Sequence, residues 1–404
     1  MSTTASNRIV IRPLEALNFF MADLQAGIGP FLGIFLLAHG WKSGPIGTVM
    51  TIGGVAGMVM TAPAGALIDA TSRKRMYVVI SAIFTAIASA IILFSQDFWL
   101  VGISQVATAI AGSVIGPAVI GITLGIVRQA GFNRQNGHNQ AYNHAGNVAG
   151  ATLSGWLGFR FGMSAIFLLA AFFGILSIVA VLLIPARAID NHAARGLEKN
   201  EGGGKASGLK VLFECKPLLI LAAALAFFHL GNGAMLPLYG LAAAGKHQGK
   251  PSVFVAMTIV IAQLVMIVAS LVAMRMAEQR GYWLVMLISF IALPIRGLIA
   301  AHWIDHTGLY PVQILDGIGA GLQSVAVPGL VARILNGTGR INVGQGAVMT
   351  VQGLGASLSP AIGGWIAQSI GYPSTFLLLG SLALVSIVLW CLHSTMLKKS
   401  CDSI

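Results

Sequence analysis

In GALIDATSRKR, Gly65 to Arg75, one Asp and three consecutive bases arrive at the end of a run, Ser43 to Ile68, that holds no charged side chain. An uncharged apolar run of that length exceeds the roughly 18 residues that mark a membrane-spanning helix. Bases clustered directly behind such a run are what the positive-inside rule places on the cytoplasmic side. The stretch therefore predicts a span that ends at the inner face of a bilayer.

The same grammar runs through the whole chain. Of its 404 residues 56% are hydrophobic and 9% charged, against about 25% charged in an ordinary soluble domain. A soluble fold of this size would lack the charges to cover its surface, so the composition predicts an all-α polytopic membrane protein. The net charge of +12 does not point to nucleic acid, because the bases sit in short loops between apolar runs. Cys215, Cys391 and Cys401 show no CxxC spacing, so neither a disulfide framework nor a metal site is expected, and no cofactor. The first apolar run follows Arg8 and Arg12 and contains Asp23. It is too long for a signal-peptide core and reads as a retained first span.

Cutting at charge clusters and Gly/Pro turns gives twelve spans, near 14–38, 45–69, 76–95, 98–127, 137–159, 163–185, 217–243, 252–277, 282–303, 308–334, 342–368 and 373–396. The Gly-rich, charged segment 186–216 reads as a solvated linker. It separates an N-terminal six-helix bundle, 1–185, from a C-terminal one, 217–404. With the amino terminus inside, the outer loops hold only Lys42, Arg160, Lys246 and Lys250, Arg296 falls within a span, and every other Lys and Arg lies on the cytoplasmic side. Both termini are then cytoplasmic, and the expected setting is a bacterial inner membrane, with the bilayer, a small-molecule solute and protons as partners, no nucleic acid, and a monomeric chain.

The halves repeat each other. GNVAGATLSGWLGFRFG from Gly146 aligns without gaps onto GASLSPAIGGWIAQSIG from Gly355, offset by 209 residues. QAGIGPFLG from Gln25 aligns onto NGAMLPLYG from Asn232, offset by 207. Two similar six-helix halves joined by a linker is the plan of parallel-repeat transporters.

In the opening stretch Gly65, Leu67, Asp69, Arg73 and Lys74 carry a Gly-x-Leu-x-Asp pattern followed by bases. This resembles the loop signature between helices 2 and 3 of the major facilitator superfamily, with Ala70 where the family pattern often has Arg. A weaker copy, AMRMAEQRGYW, places Glu278 and Arg280 at the matching point of the second half. The resemblance covers essentially the whole chain. It implies the twelve-helix fold and a gating latch made by Gly65, Asp69, Arg73, Lys74, Glu278 and Arg280, with Gly65 admitting a neighbouring helix and Asp69 meeting a base or a helix end. The fourth-span pattern of proton-coupled members has a membrane Arg; here Gln105 and Gln313 stand in that place. The Gly-rich antiporter pattern of the fifth span lacks its Pro at Ala151, and its better copy, SPAIGG at Ser359–Gly364, lies in the eleventh span.

Few polar groups enter the apolar runs. A charge in lipid costs roughly 3 kcal/mol or more, so a membrane acid faces a cavity or a partner. Asp23 lies about ten residues into the first span, which at 1.5 Å per residue is near the midplane, and is the expected proton-coupling residue. His229 and Asn232 lie at matching depth in the seventh span. With Gln25, Asn143, His144, Asn147, Tyr239 and Gln352 they make the expected solute cavity, against the plainer reading of satisfied core groups and helix–helix glue. Met21, Met235 and Phe20 are candidates for its apolar lining or for ordinary core. Arg296 and Asp316 stand at equal depth in the ninth and tenth spans with opposite charge, and read as a structural ion pair.

Enzyme readings fail. GLAAAGKH from Gly240 mimics a phosphate-binding loop, but it ends a span and has His247 in place of Ser or Thr. The expectation is a secondary transporter moving a small, partly apolar solute by proton-coupled efflux (antiport), with uptake by symport of a small organic solute or metal–chelate complex as the alternative. A non-transporting receptor or scaffold is the alternative of another class.

Overall fold

The computed structural model describes residues 2–26, 28–191, 193–195, 213–245, 250–305, 307–335 and 341–401. They are helical almost throughout, with no strand among the described residues. Contacts group the chain into two compact units, Met1–His39 with Ile52–Gly203, and Gly40–Thr51 with Gly204–Ile404.

The first unit contains α1 (Ser2–Ala26), α2 (Ile28–Ala38), most of α3 (Ser43–Ala70), α4 (Lys74–Phe94), α5 (Phe98–Phe161) and α6 (Ser164–Leu183). α1 and α4 each pack on α5 and α6. Their seam is a close-packed cluster that includes Leu14, Leu17 and Met21 of α1, Ile68 of α3, Val78 of α4, Ile115 and Ile122 of α5, and Val181 of α6. Met21 is thus a core residue. α5 is two spans in one, broken at Arg128 (φ 54, ψ 179). A loop was expected at 128–136, but helix resumes directly after the break, which is confined to Arg128. A break frees carbonyls of the preceding turn, and the N–H of Asp190 takes one of them, donating to Gly125 O at 2.9 Å. Residues 186–195, expected as solvated linker, therefore fold back on α5 as two short 3-10 turns, with Ala194 buried. Of the rest of the expected linker, 186–216, residues 196–212 lie outside the described residues, and Lys216 already begins the next long helix.

The second unit contains α7 (Lys216–Asn232), α8 (Met235–Gly245), α9 (Pro251–Arg280), α10 (Tyr282–His302), α11 (Leu309–Ile334), α12 (Ile341–Ile370), α13 (Tyr372–Leu392) and the short α14 (Ser394–Cys401). α9 packs on α11, α10 on α11 and α13, and α7 on α12 and α13. The first turns of α3 group with this unit. Ser43 Oγ donates to Gly364 O (3.0 Å), Trp365 Nε1 donates to Thr48 Oγ1 (3.0 Å), and Ala361 N donates to Thr51 Oγ1 (2.9 Å).

Nine of the described helical segments are long and apolar enough to cross a membrane. The other three expected spans are also helical. They are α1 with α2, the part of α5 beyond Arg128, and α12, where Asn, Gln, Ser and Gly dilute the apolar run.

The internal repeat is visible in the backbone. Gly162 and Gly371, 209 apart, close the helix before them at φ 87 and φ 86, a region that suits glycine and little else. A Cβ added at Gly146 would press on Phe19 O, and one added at Gly355 on Ala226 O, the same approach of α1 to α5 and of α7 to α12.

Candidate functional site

The seventh span, Lys216–Gly245, kinks between α7 and α8 at Gly233–Ala234, although Gly233 keeps helical dihedrals (φ −59, ψ −33) and its N–H still donates to His229 O at 2.9 Å. An interruption at membrane depth strands backbone groups that lipid cannot satisfy, so it persists only where protein or a cavity meets it. α12 meets it here: Ser359 Oγ accepts from Ala234 N at 2.8 Å, and Gly233 lies against Ala356 O. Such breaks are where secondary transporters build their sites.

Asn232 is the last residue of α7 before this break. Its Oδ1 accepts from Arg296 Nη1 of α10 at 2.6 Å, and the same Nη1 donates to Asp316 Oδ1 of α11 at 2.7 Å. Three elements thus converge on one guanidinium. Arg296 is 1% exposed, and the Asp316 carboxylate is 16% exposed. The Nε and Nη2 of Arg296 have no hydrogen-bond partner among the described residues, and neither has the amide of Gln313, one turn from Asp316. The pairing of Arg296 with Asp316 was legible from depth and charge; its third member, Asn232, was assigned to the cavity instead.

His229, one turn before Asn232, is held by a directional chain. Ser289 Oγ donates to Gly319 O (3.2 Å), Gln323 Nε2 donates to Ser289 Oγ (2.8 Å), and Gln323 Oε1 faces His229 Nε2 at 3.1 Å. An acceptor there requires that His229 carry its proton on Nε2. Gln323 and Ser289 were missed by sequence reasoning, although Gln313, Asp316 and Gln323 recur at helical spacing along one side of the tenth span. Tyr239 is fully buried between Phe254 and Phe376, its hydroxyl donating to Trp303 O at 2.7 Å. Met235 is buried as well. Both are packed residues here.

In the first unit, Asn143 Nδ2 donates to Asn18 O (3.4 Å) and Asn147 Nδ2 to Asn143 Oδ1 (3.3 Å). Asn147 Oδ1 and Ser154 Oγ, further along that face, are buried with no hydrogen-bond partner among the described residues. His144 and Gln352 are partly buried. Glu15 of α1 faces His138 at 3.5 Å, a pair the sequence did not suggest. The side chains of Asp23 and Gln25 lie outside the described residues, so the expected coupling residue is placed only as a position on α1.

The opening stretch is more differentiated than a uniform latch. Lys74 is 1% exposed, and its Nζ donates to Ile68 O (2.7 Å) and Thr71 O (2.9 Å), closing the end of α3. Arg75 Nη1 donates to Ile184 O (2.5 Å), just beyond α6. Cations at helix carboxyl ends satisfy last-turn carbonyls and the dipole together. Arg73, Asp69, Glu278 and Arg280 are exposed, and no ion pair among the described residues includes Asp69. Gly65 does not admit a neighbour as expected: an added Cβ would meet nothing within 4 Å. Lys74→Met keeps the stem but strips two buried carbonyls of their charged donor. It should lower stability by about 1–3 kcal/mol, read as a lower melting temperature in detergent with transport per folded molecule preserved. An unchanged melting temperature would make Lys74 a topology signal only.

The Major Facilitator Superfamily profile matches residues 16–341 and 254–399. Two Mycobacterium tuberculosis proteins, from strains CDC 1551 / Oshkosh and H37Rv and each described as an MFS-type transporter, are 39% identical over 385 residues, covering 94% of this chain and 92% of theirs. Among solved structures, a point mutant of the nucleoside transporter NupG aligns with TM-score 0.80 at 16% identity over 95% of this chain and 99% of that one. A bacterial homolog of the human lysosomal transporter Spinster, inward-facing and unoccupied, aligns with TM-score 0.75 at 13% identity over 98% of both chains. At such identities these two likenesses speak to fold alone.

Proposed function

This chain belongs to the major facilitator superfamily, and from that premise we propose that it is a proton-coupled secondary transporter of a small, partly apolar solute, working by alternating access. The single observation that supports a solute site in the second unit is the buried Arg296, shared by Asn232 and Asp316 at the break in the seventh span. Ionisable groups at such depth mark solute or proton pathways unless they are mere braces. Residues of the site in the second unit are then Asn232, Arg296 and Asp316, with His229 and Gln323 beside them; Asn143 and Asn147 are separate candidates within the first unit. The chain would act as a monomer of the bacterial inner membrane with both termini in the cytoplasm.

For direction we favour uptake by symport, because a buried cation already neutralised by a carboxylate can take an acceptor from the solute when that carboxylate takes a proton. Efflux by antiport is the second reading, supported by the Gly-rich SPAIGG stretch. That support is thinner than spelling suggests, since Ser359 is engaged in capping Ala234, and Gly364 in admitting Ser43.

Asp23 stays our proposed coupling residue on α1. Asp23→Asn keeps size and hydrogen bonding but cannot exchange a proton. The variant should insert normally and exchange solute across proteoliposomes, yet fail to accumulate it against a gradient. Accumulation with an unchanged pH dependence would move coupling to another residue.

A further inference from the structure

We infer that the free edge of Arg296 is a binding site for a carboxylate carried by the solute, and that binding there places a proton on Asp316. This deepens the transport reading and rests on it, while the proton bound here is additional to any carried by Asp23.

The geometry of one guanidinium carries the inference. Nη1 bears two hydrogens, and two acceptors take them, Asn232 Oδ1 and Asp316 Oδ1. Nε and Nη2 remain, buried and without a partner among the described residues. Their N–H bonds run parallel along one edge of the plane, the fork that matches the two oxygens of a carboxylate. An Arg that served only to brace Asp316 would leave two donors desolvated for nothing. Asn232 and Asp316 instead take both hydrogens of Nη1 and leave the bidentate edge without a hydrogen bond among the described residues. The kink at Gly233–Ala234 lies directly beside Asn232, on the same helix that presents its Oδ1 to this guanidinium.

Charge decides the ligand and the proton. Arg296 and Asp316 sum to zero, so a bound monoanion would leave one uncompensated negative charge at membrane depth. A proton on Asp316 restores neutrality, and its 16% exposure gives that proton a way in. A phosphate dianion would need two. The charged and titratable neighbours are few. Arg296 comes from α10, and His229 of α7 is already bonded to Gln323. Tyr239 of α8 donates to Trp303 O, and Asp305 accepts from Thr307 and Gly308 in the turn before α11. α9 brings Ala262, Val265, Met266 and Ala269 to α11.

The test takes the purified full chain in detergent and a panel of monocarboxylates from acetate to benzoate, each beside its amide, with methyl phosphate as a further control. At least one carboxylate should raise the melting temperature and its amide should not. A pH dye should report uptake of about one proton per anion bound. Asp316→Asn should bind the same carboxylate with no proton uptake and no pH dependence. Arg296→Lys, which keeps the charge but loses the fork, should cut affinity at least tenfold, and it serves where Asp316→Asn folds poorly. Equal binding of amides, binding of methyl phosphate alone, no binding by any carboxylate, or undiminished proton uptake in Asp316→Asn would each overturn the site. Proteoliposomes separate the two levels. Proton movement driven only by uncharged solutes would sink the carboxylate site and leave transport standing. Carboxylate binding with proton uptake but no flux would do the reverse.

Discussion

Gly355→Val is expected to leave almost no folded protein, and Gly146→Val the same, while Gly65→Ala folds as the parent does. The side chain at position 355 would project into Ala226 O of α7, and the one at 146 into Phe19 O of α1. A flexible side chain could swing aside; a helix carbonyl cannot move without its helix. Overpacking costs about 1–3 kcal/mol where neighbours can adjust, and here a whole helix pair must part, against a total stability of about 5–15 kcal/mol. α7 with α12, and α1 with α5, are among the principal packings of their units. Position 65 is the internal control, with open space around its Cβ. Fluorescence-detected size exclusion after detergent extraction reads all three. A normal monodisperse peak for both valine variants would mean that these helices do not approach as closely as the structure has them.

The paired glycines also explain what the sequence could and could not disclose. Apolar runs separated by charge are a one-dimensional record of spans, so the helices were readable from length and hydropathy, and the repeat from the 207 and 209 offsets. Gly146 and Gly355 fall in the quoted alignment because both halves need the same close approach. Other features depend on what lies across from a residue. Lys74 and Arg73 are adjacent bases of the same loop, yet one is 1% exposed and the other exposed, because only Lys74 projects back toward the carbonyls ending α3. The kink at Gly233 is foreshadowed by Pro237, which has no N–H to donate to Gly233 O, but how it is satisfied becomes evident only once Ser359 is seen capping Ala234. His229 gained a definite proton position from Gln323, 94 residues away, a distance at which no local spacing speaks.

The Arg296–Asp316 pair should respond unequally when either member is removed. Each alanine substitution leaves a buried polar group without its counterpart, a loss of about 3–5 kcal/mol for a buried pair. The two survivors differ. With Arg296 gone, Asp316 can take up a proton through its partial exposure and become neutral, so Arg296→Ala should lose the smaller share of folded protein, and lose less of it in acid. With Asp316 gone, Arg296 stays charged at any working pH, 1% exposed, with Asn232 Oδ1 its one described acceptor. Asp316→Ala should therefore be the worse variant and should not improve on acidification. The double alanine variant removes both charges and should recover much of the yield, stopping short of the parent because Asn232 Oδ1 then lacks its donor. Melting temperatures of the four proteins at pH 5.5 and 7.5 supply the cycle. Additive losses in the double variant would show that the two residues do not interact, and an Arg296→Ala more damaging than Asp316→Ala would mean that Asp316, not Arg296, is the charge the fold cannot leave unpaired.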